Sequence, residues 1–201
     1  MPVLLHIGCG PKRKPQTTAG FQGSEWEELR YDIDPAVHPD ILGTMTDMSA
    51  LADASVDAIF SSHNLEHLYP YEVEIALREF SRVLRPEGFA VITCPDLQSI
   101  AALVAQDRLI EPAYLSGAGP ISAIDMIYGH RPALAAGNHF MAHRCGFTLR
   151  VLMAVLQENG FAHTMGIARP RAFDLWTVAS KSLEQTQMRD LAAAHFPATT
   201  A

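Results

Sequence analysis

Short apolar runs alternate with longer amphipathic stretches along this chain, the pattern of buried strands separated by covering helices. Residues 2–7 form an apolar run that stops at Gly8-Cys9-Gly10-Pro11. Further strands are predicted over residues 29–33, 40–43, 56–61, 89–94, 161–168 and 173–180, each bounded by turn formers. Within residues 72–84, Val73, Leu77, Phe80 and Leu84 recur at helical spacing, with Arg78, Glu79 and Arg82 on the other side. Pro86-Glu87-Gly88 then turns the chain into the next strand. Residues 148–159 make a second helix, capped by Thr148, striped by Leu149, Leu152, Met153 and Leu156, and stopped by Gly160. A third helix is expected over residues 97–109. The tail after residue 182 opens with Ser182-Leu183-Glu184-Gln185, which fits a capping box.

One segment breaks the alternation. Residues 12–28 should hold the first crossover helix, yet they contain Pro15, Gly20 and Gly23. An extended loop is expected there, with at most a helical turn at residues 24–28. The whole pattern predicts an α/β fold: one domain over residues 1–201 with a Rossmann-like, seven-stranded, mostly parallel sheet, helices on both faces, and a first crossover helix that is shortened or missing. Residues 97–147 form a long connection of the kind that carries a substrate-binding lid.

Composition narrows the partners. The 201 residues are 48% hydrophobic and 18% charged, an ordinary globular balance rather than that of a disordered chain. A net charge of -7 would repel a phosphate backbone, so no nucleic-acid partner is expected. The local cluster Lys12-Arg13-Lys14 is either a solvated loop or a contact for a small anion. Three cysteines, Cys9, Cys94 and Cys145, without paired spacing suggest reduced thiols and a cytoplasmic setting. Val3-Leu4-Leu5 is too short for a signal-peptide core, and no apolar run approaches the ~20 residues of a membrane span, so no membrane association is expected. A small-molecule substrate is expected, with the choice between monomer and homodimer left open.

In a doubly wound sheet, ligands bind at the carboxyl ends of the strands, where strand order reverses. Four features fall at such ends: Gly8 and Gly10; Asp32; Asp47-Met48; and Ser61-Ser62-His63-Asn64. A lone Gly-x-Gly is weak, but the ordered set resembles the class I S-adenosylmethionine-dependent methyltransferases, and within them a small group with a Gly-Cys-Gly-Pro loop and a Leu-Glu-His-Leu motif. The matching stretches are Leu4-Leu5-His6-Ile7-Gly8-Cys9-Gly10, Tyr31-Asp32-Ile33-Asp34, Thr46-Asp47-Met48, Val56-Asp57-Ala58-Ile59-Phe60, Asn64-Leu65-Glu66-His67-Leu68 and Arg82-Val83-Leu84-Arg85-Pro86-Glu87-Gly88. The resemblance implies S-adenosyl-L-methionine as cofactor. His6, Gly8, Cys9 and Gly10 would pass beneath its methionine portion, and Asp32, with Ile33 beside it, would hold the ribose. Asp47 and the Met48 N–H would meet the adenine, and Ser62 and His63 would line the sulfonium end. The family usually has an acidic residue where His6 stands and often a third glycine where Lys12 stands. Those departures and the missing helix argue against a dinucleotide, whose pyrophosphate needs a helix N-terminus.

Methyl transfer from a sulfonium needs positioning and water exclusion above all, and a base only if the nucleophile arrives protonated. His63, His139 and His143 are the candidate catalytic residues. Asp96, Tyr128, His130 and Arg144 are candidate substrate contacts. For Asp96 the competing role is a helix N-cap, and for His67 it is packing beneath the cofactor loop. His139 and His143, with His130, are weighed as metal ligands at helical spacing but rank below substrate contact, and no metal site is assigned. The implied function is methyl transfer to a small polar or saccharide-like acceptor. The alternative is a non-catalytic regulatory module that binds S-adenosylmethionine or S-adenosylhomocysteine.

Overall fold

The computed structural model describes residues 1–198. Its strands are β1 (Val3–Ile7), β2 (Glu27–Asp32), β3 (Ile41–Leu42), β4 (Val56–Ser62), β5 (Leu84–Pro95), β6 (Pro112–Ser116), β7 (Gly119–Ser122), β8 (His163–Arg169) and β9 (Asp174–Ser180). Its helices are α1 (Pro70–Val83), α2 (Leu97–Ala105), α3 (Ala123–Tyr128), α4 (Arg131–Ala135), α5 (Leu149–Glu158) and α6 (Gln185–His195). Seven strands form one sheet in the order β3-β2-β1-β4-β5-β9-β8. β1 to β5 run parallel, and β9 is antiparallel to both of its neighbours. The order reverses at β1, between β2 and β4, so the crevice above β1 and β4 is where a ligand belongs. The Rossmann-like sheet anticipated from the hydrophobic pattern is therefore present. β6 and β7 form a separate hairpin that the pattern did not predict.

Strand alternation sends side chains to two faces. Leu5, Ile7, Ile59, Ala90 and Ile92 pack with Val73, Leu77 and Phe80 of α1 and with Leu152 and Leu156 of α5. On the opposite face, Leu4, Ala58, Phe60, Phe89, Val91 and Val178 need other cover. The expected gap in the first crossover is real: residues 12–26 hold only 3₁₀ turns at Lys14–Gln16 and Ala19–Phe21. The helical turn expected at residues 24–28 is absent, because the chain is already in β2 from Glu27. Phe21 and Trp26 plug this face from the crossover, Phe21 fully buried and stacked on Phe89 at 5.9 Å between centroids, with the Trp26 ring edge-on to both. The rest of the cover comes from α6, which brings Met188, Leu191, Ala192 and Phe196 to the same cluster. Its capping differs from the expected box. The Glu184 N–H donates to Gln187 Oε1 at 2.9 Å, while Ser182 Oγ donates to the Pro86 carbonyl.

The junction between crossover and α6 is polar and closed. Thr18 Oγ1 and His195 Nδ1 lie 2.6 Å apart in the interior, and the imidazole sits 4.3 Å from the Phe21 ring centroid. Gly20 leaves room for that imidazole, since a Cβ would lie 2.5 Å from His195 Cε1. A third, smaller cluster of Ile100, Leu103, Ile121, Ala123 and Met126 gives the connection between β5 and α5 its own core. Among the described residues, no helix is long and apolar enough to cross a membrane.

Burial lowers the His195 imidazole to about 4, from an ordinary 6.5. The unfolded chain therefore binds a proton in a window where the folded chain does not. Stability from this residue is complete above about pH 6.5 and falls as the pH drops toward 4, by about 2 kcal/mol at pH 5. Urea denaturation at pH 5 and 7.5 should show that loss in the wild type and a smaller one in the Thr18→Val/His195→Phe double variant.

Candidate active site

The loop after β1 is shaped by two left-handed glycines, Gly8 at φ 58° and Gly10 at φ 52°. At Gly8 a Cβ would meet Asn64 Oδ1 at 2.0 Å, so this position needs both the backbone freedom and the small size of glycine. Asn64 ties the loops after β1 and β4 together, its Nδ2 donating to the Ile7 carbonyl at 2.8 Å and to Ser61 Oγ at 3.1 Å.

Arg30 takes over the support that a crossover helix would have given. Its side chain is almost fully buried, and the guanidinium donates to the carbonyls of Gly10, Lys12, Val37 and His38. Its own N–H donates to Asp40 Oδ2. One cation thus joins the glycine loop to the loop after β2, its charge met by carbonyl dipoles.

Asp32, at the end of β2 and 8% exposed, accepts from the Gly10 N–H at 2.8 Å through Oδ2 and from the Asp34 N–H at 2.9 Å through Oδ1. Each oxygen keeps a lone pair for a further donor. This carboxylate, the glycine loop, Ile33 and residues 43–46 border a cavity of about 520 Å³. His6, Ser62, His63 and His67 line it on the β4 side, and Asn138, Phe140, Met141 and Arg144 line it from the long connection. Lys12 also reaches it. Lys14 does not, because its Nζ donates to the Gly23 and Trp26 carbonyls.

Among the expected cofactor residues, His6, Gly8, Cys9, Gly10, Asp32, Ile33, Ser62 and His63 all lie on this cavity. Asp47 and Met48 do not. The Met48 N–H, expected to face an adenine, donates instead to Glu79 Oε2 at 2.8 Å. Arg82 holds the Met48 and Leu51 carbonyls, so α1 pins residues 48–51 away from the crevice. Asp47 is exposed on the far side, accepting from the Ser49 N–H. Thr44, Met45 and Thr46 take the place on the wall.

His63 sits at φ 56°, an uncommon conformation for a residue other than glycine, held by its N–H donating to the Thr93 carbonyl. Its ring is half exposed, with Nδ1 3.4 Å from Glu66 Oε1. Burial alone would lower this imidazole, but the Glu66 carboxylate outweighs it and holds the pKa above the ordinary value. His6 goes the other way, lowered chiefly by burial although Glu28 Oε1 lies 2.8 Å from its Nδ1. Burial pushes the Cys9 thiol up to about 11, which leaves it a poor nucleophile.

The candidates beyond β5 separate. His139 is exposed in the 3₁₀ turn His139–Met141 and does not line the cavity, although its neighbours do. The helical spacing expected of His139 and His143 is not realised, because the chain leaves the turn at Ala142 in extended conformation. His143 lies instead against His67, with ring centroids 4.9 Å apart. Asp96 is the N-cap of α2, accepting from the Gln98 N–H, and is buried away from the cavity. His130 precedes α4 and does not line the cavity. Arg144 does reach the cavity, with its guanidinium 4.8 Å from the Tyr69 ring centroid. Tyr128 borders a second, adjoining cavity of about 230 Å³ together with Glu66, His143 and Arg144. Sequence reasoning missed Arg30, Phe140 and Met141. Only the basic residue inside a predicted strand gave any signal, for Arg30.

Residues 5–92 match the family model described as a methyltransferase domain. The whole fold is similar to that of solved methyltransferases. One is the 1,6-didemethyltoxoflavin-N1-methyltransferase of Burkholderia thailandensis, solved with 1,6-didemethyltoxoflavin and S-adenosylhomocysteine. It is 18% identical, with 90% of this chain and 72% of that chain covered and a TM-score of 0.55. Another is a SAM-dependent methyltransferase from Archaeoglobus fulgidus, 14% identical, with coverage of 89% and 85% and a TM-score of 0.57. A third, described as a possible histamine N-methyltransferase from Thermotoga maritima, is 13% identical, with coverage of 90% and 83% and a TM-score of 0.57. The match over residues 5–92 is thus to a methyltransferase domain, and over most of its length the chain has the fold of the class I methyltransferases.

Replacing Arg30 with Met would keep the apolar stem but leave buried carbonyls without a donor. We expect a loss of about 3–5 kcal/mol in urea unfolding, well beyond that of Arg13→Met on the exposed part of the same loop.

Proposed function

We propose that the protein is an S-adenosyl-L-methionine-dependent methyltransferase acting on a small polar or saccharide-like acceptor. The observation that carries this reading is the buried Asp32 carboxylate, which keeps acceptor capacity beside a glycine loop at the switch point of the sheet. The cavity volume falls in the range of sites for molecules of cofactor size. At Gly10 a Cβ would meet nothing within 4 Å, so the loop leaves room for a ligand against its backbone.

When bound, the cofactor supplies a methyl group already activated on a sulfonium. Asp32 would accept from the two ribose hydroxyls, while Ile33 and residues 43–46 would wall the adenine. Gly8 and Gly10 let the main chain approach the methionine portion. His63 stands at the end of β4 with its ring in the cavity, where it would take the proton of an arriving hydroxyl or ammonium. Asn138, Phe140, Met141 and Arg144 would close the acceptor side and exclude water. Lys12, Arg144, His63 and His67 around one opening favour a polar or anionic acceptor within a chain of negative net charge.

Calorimetric titration with S-adenosylhomocysteine tests the cofactor. Micromolar binding (about -8 kcal/mol) that vanishes in Asp32→Ala supports the reading, and a folded wild type that binds nothing sinks it. Asp47→Ala should bind as the wild type does, because that side chain faces away from the cavity. Turnover follows from a screen of small polar and saccharide acceptors with isotope-labelled methyl donor. With an acceptor found, His63→Ala should lower kcat by roughly 10²–10⁴, and His139→Ala should not lower it. Cofactor binding with no acceptor in any screen would favour the regulatory module instead.

A further inference from the structure

Glu66 is 1% exposed, and neither of its carboxylate oxygens has a hydrogen-bond partner. Its nearest ionic neighbour, His63 Nδ1 at 3.4 Å, lacks the geometry of a hydrogen bond. A buried carboxylate left in that state is strongly disfavoured unless a cation meets it. Two further histidines stand beside it. His67 Nδ1 lies 3.1 Å from the Ala142 carbonyl, and His143 Nδ1 lies 2.8 Å from the Met126 carbonyl. A carbonyl only accepts, so in each neutral ring Nδ1 carries the proton and Nε2 keeps a bare lone pair. This is the arrangement that orients histidines as metal ligands, the second nitrogen anchored to the backbone. One ligand atom from each of Glu66, His67 and His143 lies within 4.8 Å of the other two. An unpartnered carboxylate and two imidazoles whose Nδ1 protons are already engaged therefore stand together.

We propose that Glu66, His67 and His143 bind one first-row divalent metal ion, with Zn²⁺ the best match. Two imidazole nitrogens and one carboxylate are a borderline donor set, better suited to Zn²⁺, Mn²⁺, Fe²⁺ or Co²⁺ than to Mg²⁺ or Ca²⁺. Loading would draw the ligand atoms in to bonds of roughly 2.0–2.2 Å. The backbone prepares the meeting. The Arg144 and Cys145 N–H groups both donate to the Glu66 carbonyl, which locks the segment after the His139–Met141 turn onto the 3₁₀ turn Leu65–His67. The site lies in the wall between two cavities, with His67 on the larger and Glu66 and His143 on the smaller. Three protein ligands leave at least one coordination position open. If the methyltransferase reading holds, that position narrows the acceptor to molecules with a metal-binding oxygen. This narrowing rests on that reading, and the ion site itself does not.

Cys145 lies nearby but outside this cluster, its Sγ 3.4 Å from the Leu65 carbonyl. The test uses the full chain stripped with chelator and checked for folding by circular dichroism, then titrated calorimetrically with ZnCl₂ and with MnCl₂. We expect one ion per chain, affinity at least ~10-fold weaker in His143→Gln, and no change in His139→Gln. The Co²⁺-loaded protein should absorb in the visible without a thiolate-to-metal band. Absence of stoichiometric binding by the folded wild type, binding unaltered in His143→Gln, or a thiolate band would each overturn the proposal. Should His143→Gln fail to fold, His67→Gln takes its place, and the wild-type Co²⁺ spectrum decides if neither variant folds.

Discussion

A parallel sheet has to be covered on both faces, and this chain lacks the first crossover helix that would ordinarily cover one of them. The other elements adjust to that absence. Phe21 and Trp26 fill part of the gap, α6 returns from the far end of the chain to cover more of it, and Gly20 makes room for His195 where crossover and helix meet. The missing helix also leaves the glycine loop without a scaffold. The buried Arg30 guanidinium supplies one by gathering carbonyls from the loops after β1 and β2. The same gap is thus closed by apolar packing on the face of the sheet and by a cation at its edge.

This arrangement divides the crevice chemically. One side is rigid, built from strand ends and from loops whose backbone groups are tied to Asp32, Asn64 and Arg30. The other side comes from residues 138–144, which have few buried apolar neighbours of their own and reach the crevice through short turns. Its hold on the rest of the molecule is concentrated at its end, where the Arg144 and Cys145 N–H groups donate to the Glu66 carbonyl. The polar groups of Glu66, His67 and His143 stand where the two sides meet.

Much of this was legible in the sequence because strands buried on both faces read as continuous apolar runs that end abruptly. Those ends mark the glycine loop, Asp32 and His63, which border the cavity. The helix-breaking Pro15, Gly20 and Gly23 likewise announced the missing crossover. Other features depend on contacts distant in sequence. Residues 47 and 48 hold a familiar dipeptide, yet Glu79 and Arg82 decide which way that loop faces. His139 and His143 have helical spacing but no helix, since that stretch packs through short turns. Glu66 lay inside a recognised motif, but its lack of a hydrogen-bond partner is a property of three-dimensional surroundings that a motif does not record. The tail helix was expected from a capping box that begins two residues before its actual cap at Glu184, and the face it covers was not legible.

The Thr18–His195 contact joins residues 177 positions apart, nearly the length of the chain. On the ribosome, every strand of the large sheet is made before α6, so one face of that sheet stays uncovered until the last of these residues has been synthesised. Phe60, Phe89 and Val178 are then covered only in part, by Phe21 and Trp26, and the nascent chain stays aggregation-prone until α6 has emerged. Closing so long a loop is also slow. The molecule thus gains its final shape in a late step made after translation of the sheet, and it is in that interval, rather than in the finished state, that a chaperone would find something to hold.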